Sequence, residues 1–340
     1  MRKIVKAVVL AIPAACVLLS CKPTDANDAA AETAAGGIQL RHEARIAMQK
    51  ERLSIARDKV TVEYEFMNES DKDVTTEVAF PIPAYGLDPE DTAGKRDFGD
   101  FRVWVESREV QYQTDARARL GNRDVTDVLR RYNIDVATFG NYGDEDDPGP
   151  NYQIAKLPGP ARANLMGLGL IEKDLYPKWL VAKTYYWSQT FPAHQVLHVR
   201  HEYKPVVGFQ GFKAAMLSRE LKSACVDPSL EKKLSAAIAA GLKSSARMSG
   251  DDYVNATWVK YILTTANTWK GPIHDFELVV EKPAPEKPVS GQPANGRGGD
   301  YSVSFCWDGP VEHPDQTHFI AHKTDFVPSR ELTVYFFPDY

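Results

Sequence analysis

Two groups of histidines are the first residues whose spacing could do chemistry. His194, His198 and His201 fall within eight residues, and His313, His318 and His322 within ten. A catalytic zinc would need ligands converging on one face and a position left open. In an extended segment His194 and His198 share a face while His201 points the other way. No His-Glu-x-x-His pair is present. These read as ordinary strand and loop histidines, so no metal and no cofactor is expected. Asp144-Glu145-Asp146-Asp147 offers oxygens for calcium, but it lacks the spaced Asp-x-Asp-x-Asp-Gly pattern of an EF-hand. Such a run reads as a solvated loop.

Other chemistries find no foothold. There is no Gly-x-Ser-x-Gly elbow to activate a serine. Neither Gly-x-Gly-x-x-Gly nor a Walker A loop occurs, and Gly167-Leu168-Gly169-Leu170 is the nearest approach. Carboxylates are plentiful, but linear spacing selects no glycosidase pair. Trp179, Tyr185, Tyr186 and Trp187, with Trp258, Trp269 and Trp307 elsewhere, could stack on sugar rings. They read instead as core side chains, each burying roughly 150–250 Å². No residue is assigned a catalytic role.

The four cysteines carry more. Residues 1–20 have the form of a signal peptide. Arg2, Lys3 and Lys6 precede an apolar run from Ala7 to Leu19, too short for the about 20 residues a membrane span needs. Leu18-Leu19-Ser20-Cys21 has the form of a lipobox, which would make Cys21 the lipid-bearing N-terminus. Cleavage after Ala26, in Thr24-Asp25-Ala26, is the alternative, and it would leave a soluble periplasmic chain starting at Asn27. No later segment approaches 18 uninterrupted apolar residues, so the mature chain would touch a membrane through its lipid alone. Either route removes Cys16 and takes Cys21 out of pairing. Cys225 and Cys306 remain, and in an oxidising compartment they should form a disulfide.

The elements that must carry these residues are mostly strands. The chain has 41 Lys+Arg against 46 Asp+Glu, a net charge of −5, and 43% hydrophobic residues. This composition excludes wholesale disorder, and the acidic balance argues against a nucleic-acid partner. Residues 21–37 read as a small-residue linker, with helix conceivable over Ala29–Ala35. Val60, Val62, Tyr64 and Phe66 alternate with Thr61, Glu63 and Glu65, the pattern of a half-buried strand. Val74, Thr76, Val78 and Phe80 read as its return strand. Region 38–118 is thus expected to be a β-sandwich. Region 119–192 reads as a mixed helical and loop insertion. Region 193–340 reads as a second β region containing a helix over 228–242, capped by Asp227 and striped by Leu230, Leu234, Ile238 and Leu242. The expected class is mainly β with α insertions, an antiparallel sandwich-like body.

AETAAGGIQL at 31–40, IAMQKERLSI at 46–55 and VTVEYEFMNESDKDVTTEVAFPIP at 60–83 together resemble the domain-of-unknown-function 4424 family of exported bacterial proteins. The resemblance continues through HEYKPVVG at 201–208, YILTTANTWKGPIHDFELVVEKP at 261–283 and Phe305-Cys306-Trp307. It implies export and a fold, and no reaction. The N-terminal half is also similar to the VIT-type β-sandwich, in its F-x-N-x-S strand and a following strand ending in FP-x-P. The Asp-x-Ser-x-Ser metal motif of the A domain that usually follows a VIT domain is missing; Asp227-Pro228-Ser229 lacks the second serine.

The expected function is that of a cell-envelope protein, a non-catalytic binding, scaffolding or assembly factor whose partner is an envelope protein or a glycan. The alternative is an envelope hydrolase acting on glycan or peptide.

Overall fold

A computed structural model describes residues 28–34, 37–86, 99–136, 153–173, 175, 177–213, 217–243, 253–284 and 300–338. The signal peptide, Cys21, the acidic loop 144–147 and most of the Pro/Gly-rich stretch 282–299 lie outside them.

The described strands form three sheets. The six-stranded sheet runs β2 (Gly37–Leu40), β1 (Ala29–Ala34), β5 (Val74–Pro81), β10 (Leu180–Phe191), β8 (Gln113–Leu120), β9 (Arg123–Asp124). The seven-stranded sheet runs β16 (His318–Phe326), β14 (Ile273–Glu281), β3 (Ile46–Ile55), β4 (Val60–Asn68), β11 (Val196–Lys204), β6 (Gly99–Val105), β7 (Arg108–Glu109). The four-stranded sheet runs β12 (Gly208–Lys213), β13 (Tyr253–Tyr261), β17 (Leu332–Pro338), β15 (Tyr301–Phe305). Neighbouring strands are antiparallel except β3 and β14, which are parallel. The body is mainly β with small helical additions, as the sequence predicts.

The two larger sheets face each other across an aromatic core. Phe101 of β6 stacks on Tyr185 of β10 at 4.1 Å, and Phe66 of β4 meets Phe191 of β10 at 5.8 Å. Val60, Val62, Tyr64 and Phe66 are all at most 2% exposed, while Glu63 points to solvent. In β3 the alternation changes phase. The register slips between Met48 and Lys50, so the buried set passes from Ile46 and Met48 to Glu51, Leu53 and Ile55. Trp179, Tyr185, Trp187 and Trp269 are core residues, as expected, whereas Tyr186, Trp258 and Trp307, read the same way, are only half-buried.

Four readings change. Ala29–Ala34 is neither linker nor helix but strand β1, paired with β2 on one side and β5 on the other. Ala29, Ala30 and Ala31 are at most 2% exposed, because a small side chain suits a strand enclosed on both sides. Val74–Pro81 does not return alongside β4; it pairs with β1 and β10 in the other sheet. The turn between them is a crossing held by buried Asn68, whose Nδ2 donates to the carbonyls of Lys72 and Phe191 at 2.9 and 2.8 Å. Its Oδ1 accepts from the Ser70 amide and hydroxyl. Residues 180–191, placed within the mixed region 119–192, are β10, an interior strand of the six-stranded sheet. His318–Phe326, given no element from sequence, is strand β16.

The helices are α1 (Thr126–Arg131), α2 (Gly159–Gly167), α3 (Leu217–Ser223) and α4 (Pro228–Lys243). Asp227 caps α4, its Oδ1 accepting from the amides of Ser229 and Leu230 at 2.8 and 3.0 Å. Leu230, Leu234 and Ile238 are buried against Phe212, Val254 and Phe337, making a second small core. The Leu242 side chain lies outside the described set. Cys225, between α3 and α4, is disulfide-bonded to Cys306 at the end of β15, with Cα atoms 5.1 Å apart. The bond ties the helical pair to the four-stranded sheet.

Candidate binding face

The outer side of the seven-stranded sheet carries His198 and His322 among rows of arginines, lysines and carboxylates. Strand register decides how they meet. His322, Glu277, Arg52, Glu63, Arg200, Trp104 and Glu109 are successive cross-strand partners on β16, β14, β3, β4, β11, β6 and β7. One unbroken row therefore crosses the whole sheet. A neighbouring row runs Asp275, Lys50, Glu65, His198. From strand to strand the prevailing charge alternates: acidic on β14, basic on β3, acidic on β4 and, apart from Glu202, basic on β11.

The stripes are electrostatically matched. Arg52 lies 2.5 Å from Glu277, Lys50 3.6 Å from Asp275, and Arg200 2.8 Å from Glu202 and 3.8 Å from Glu63. Exposed pairs of this kind are worth about 0–1 kcal/mol each; their larger effect is to hold long side chains in place. Trp104 is half-buried, with the guanidiniums of Arg102 and Arg200 at 4.7 and 5.0 Å from its ring. The hydrogen bond from Arg102 raises that guanidinium's pKa and lowers that of Glu109.

The rim beside Trp104 is a two-residue hairpin turn. Glu106 and Ser107 both adopt left-handed backbone conformations, φ 47° and 65°. Such turns favour Asn-Gly, and a side chain there is strained. Glu106 offsets this by accepting from the His198 amide at 2.7 Å and lying 3.1 Å from its Nδ1. The amide bond is the first cause of that carboxyl's lowered pKa. Lys50, Arg52, Glu63, Trp104, His198 and Arg200 line an open depression of about 500 Å³ here, a volume in the range of ligand sites.

The histidines do not converge. His194 meets Asp71 at 3.0 Å, His198 meets Glu106, His322 meets Glu277 at 3.6 Å and His318 meets Asp315 at 2.8 Å. Among the described residues no group of three His, Cys, Asp or Glu is arranged to hold a metal ion. His201 turns inward, as its strand parity predicts, and is fully buried with Nε2 3.3 Å from Oδ2 of equally buried Asp28. The Asp28 amide donates to Tyr64 Oη, which lies 3.1 Å from Tyr261 Oη. Tyr261 in turn donates to buried Glu51 at 3.5 Å. Burial pushes both phenols well above their ordinary range. Sequence reasoning missed this core cluster and the charged rows alike. The only signal was the parity that sets Glu63 and Glu65 opposite Val62 and Tyr64. A smaller depression of about 330 Å³ lies beside Cys306, Trp307 and Lys323.

Among solved structures, the chain is similar to that of a "putative nutrient binding protein" from Legionella pneumophila subsp. pneumophila str. Philadelphia 1. The identity is 14% and the TM-score 0.41, over 92% of this chain and 70% of that one. No curated protein matches. The family model for a domain of unknown function, DUF4424, matches residues 26–335. With nearly its whole length matched, the chain belongs to the DUF4424 family.

Proposed function

We propose that this is an exported protein of the bacterial envelope that works by binding and not by catalysis. Its recognition surface is the outer face of the seven-stranded sheet. The observation that carries the reading is the cross-strand row from His322 to Glu109, which holds Trp104 and its flanking cations in a fixed, open arrangement. A rigid surface with prepositioned polar groups and one aromatic anchor suits recognition of a partner. Export is supported by the signal-like residues 1–20 and by the Cys225–Cys306 bond, since such bonds persist in oxidising compartments. Among the described residues no helix is long and apolar enough to cross a membrane.

Cys21 is the proposed lipid attachment point. Cys21→Ser should release the protein from membranes or block its processing; wild-type protein beginning at Asn27 would overturn the anchor.

The binding face is tested by placing a photo-crosslinking amino acid at Thr61 and, as control, at Thr190 on the outside of the other sheet. Adducts in living cells from position 61 and not from position 190 are expected. Equal yields from both positions would remove this face from consideration.

A further inference from the structure

We propose that the depression around Trp104 takes an uncharged, polyhydroxyl ligand, a neutral glycan chain laid across the strands. The inference rests on the binding-face reading and narrows it to a ligand class.

The selection comes from the state of the charges. Lys50, Arg52 and Arg200 are each already matched by a carboxylate, Asp275, Glu277, and Glu202 with Glu63. An anionic ligand would gain little from cations already neutralised and would be repelled by their carboxylates, and a cationic one would meet the reverse. A hydroxyl group meets neither obstacle, because it both donates and accepts. A guanidinium has five N–H donors and a carboxylate about four acceptor positions, so one ion pair does not exhaust either group. Basic β3, acidic β4 and basic β11 lie about 4.8 Å apart. They therefore present alternating donor and acceptor lines to the hydroxyls of a sugar chain.

Trp104 supplies what the stripes lack. Its half-buried ring stands in the row between Arg200 of β11 and Glu109 of β7, where a pyranose can pack against it. Arg102 and Arg200 hold the ring, and the Glu106–Ser107 turn closes that side of the depression at the expense of two left-handed residues. Backbone strain of this kind gathers at ligand sites. Here Glu106 stabilises the turn by bonding to His198, a residue that itself lines the depression.

The test is calorimetric titration of the intact mature protein with three tetramers. These are N-acetylglucosamine tetramer (uncharged), glucosamine tetramer (cationic) and galacturonic acid tetramer (anionic). Binding of the uncharged tetramer is expected, with affinity changing less than about twofold between about 50 and about 500 mM NaCl, because no ion pair is exchanged. Trp104→Ala, checked for an unchanged melting temperature, should weaken it about tenfold, and Trp104→Phe should retain most of it. Three results would overturn the proposal: no heat with the uncharged tetramer, tighter and salt-sensitive binding of a charged one, or full affinity in Trp104→Ala. Adducts from position 61 together with no glycan binding would sink the ligand class and leave the binding face standing.

Discussion

Asp28 and His201 meet inside the core with Oδ2 and Nε2 3.3 Å apart and neither side chain exposed. Asp28 immediately precedes β1 of the six-stranded sheet, His201 lies on β11 of the seven-stranded sheet, and the two are 173 residues apart in sequence (201 − 28). The pair joins the start of β1 to an interior strand of the seven-stranded sheet. Trp269 secures the same residue from another side, its Nε1 donating to the Asp28 carbonyl at 2.6 Å.

Burial raises the Asp28 carboxyl above its ordinary 3.8, and the attraction of His201 offsets only part of that. A carboxyl raised in the folded state favours folding in its protonated form. That contribution is full below the unfolded pKa and is lost as pH rises through the folded one. Asp28→Asn should therefore gain stability relative to wild type as pH rises above about 4. Urea unfolding of both proteins from acid to neutral pH measures it. A constant difference across that window would contradict the assignment.

The disulfide closes a loop with a sequence separation of 81. Chain entropy assigns such a bond about 4.5 kcal/mol as an upper figure, large beside a net stability of roughly 5–15 kcal/mol. Cys225→Ser and Cys306→Ser should lower the denaturation midpoint alike, and the double variant should match either single one. Alkylation of the unreduced protein should label neither residue.

Asn68 should be among the costliest polar residues to replace. Its side chain satisfies two carbonyls and accepts twice from Ser70 at the point where the chain changes sheet. Asn68→Ala leaves the buried Phe191 carbonyl without that donor and should cost about 2–3 kcal/mol. Ser70→Ala, at a half-buried neighbour, should cost clearly less. Chemical denaturation of both variants checks the order.

Asp227→Ala should cost about 1 kcal/mol through loss of the α4 cap. The bonds from Ser229 and Leu230 lower this carboxyl's pKa. Its contribution is therefore present above the unfolded carboxylate range and disappears as pH falls through the lowered folded value. Wild type and variant should converge in acid and separate near neutrality, which thermal melts at two pH values would show.

What could be read from sequence was what repeats locally. β4 and α4 announce themselves because Val60 to Phe66 and Leu230 to Ile238 hold one period long enough to define a buried side. The Cys225–Cys306 bond followed from counting. β1 was invisible because Ala29, Ala30 and Ala31 have neither strand-forming bulk nor alternation. In β10 the inward set Val181, Lys183, Tyr185, Trp187 includes a buried lysine, which breaks the pattern. Of the charged rows, only the outward parity of Glu63 and Glu65 was visible. Glu277 meets Arg52 only through the parallel pairing of β14 with β3, and no local signal encodes a register between segments more than 200 residues apart.

The enclosed position of β1 has a kinetic consequence. Its fixing contacts, the Ala30 amide with Thr268 Oγ1 and the Asp28 carbonyl with Trp269 Nε1, span 238 and 241 residues. Contacts of such separation form late, after the loops between them have closed. β1 can pair with β5 early, but its locking by Thr268 and Trp269 comes late. Until then β1 covers the edge of β5 without its long-range anchors, and a competing strand can displace it. The interval before β1 is locked is when that edge is most exposed to aggregation, and when a chaperone holding it would most raise the yield of folded protein.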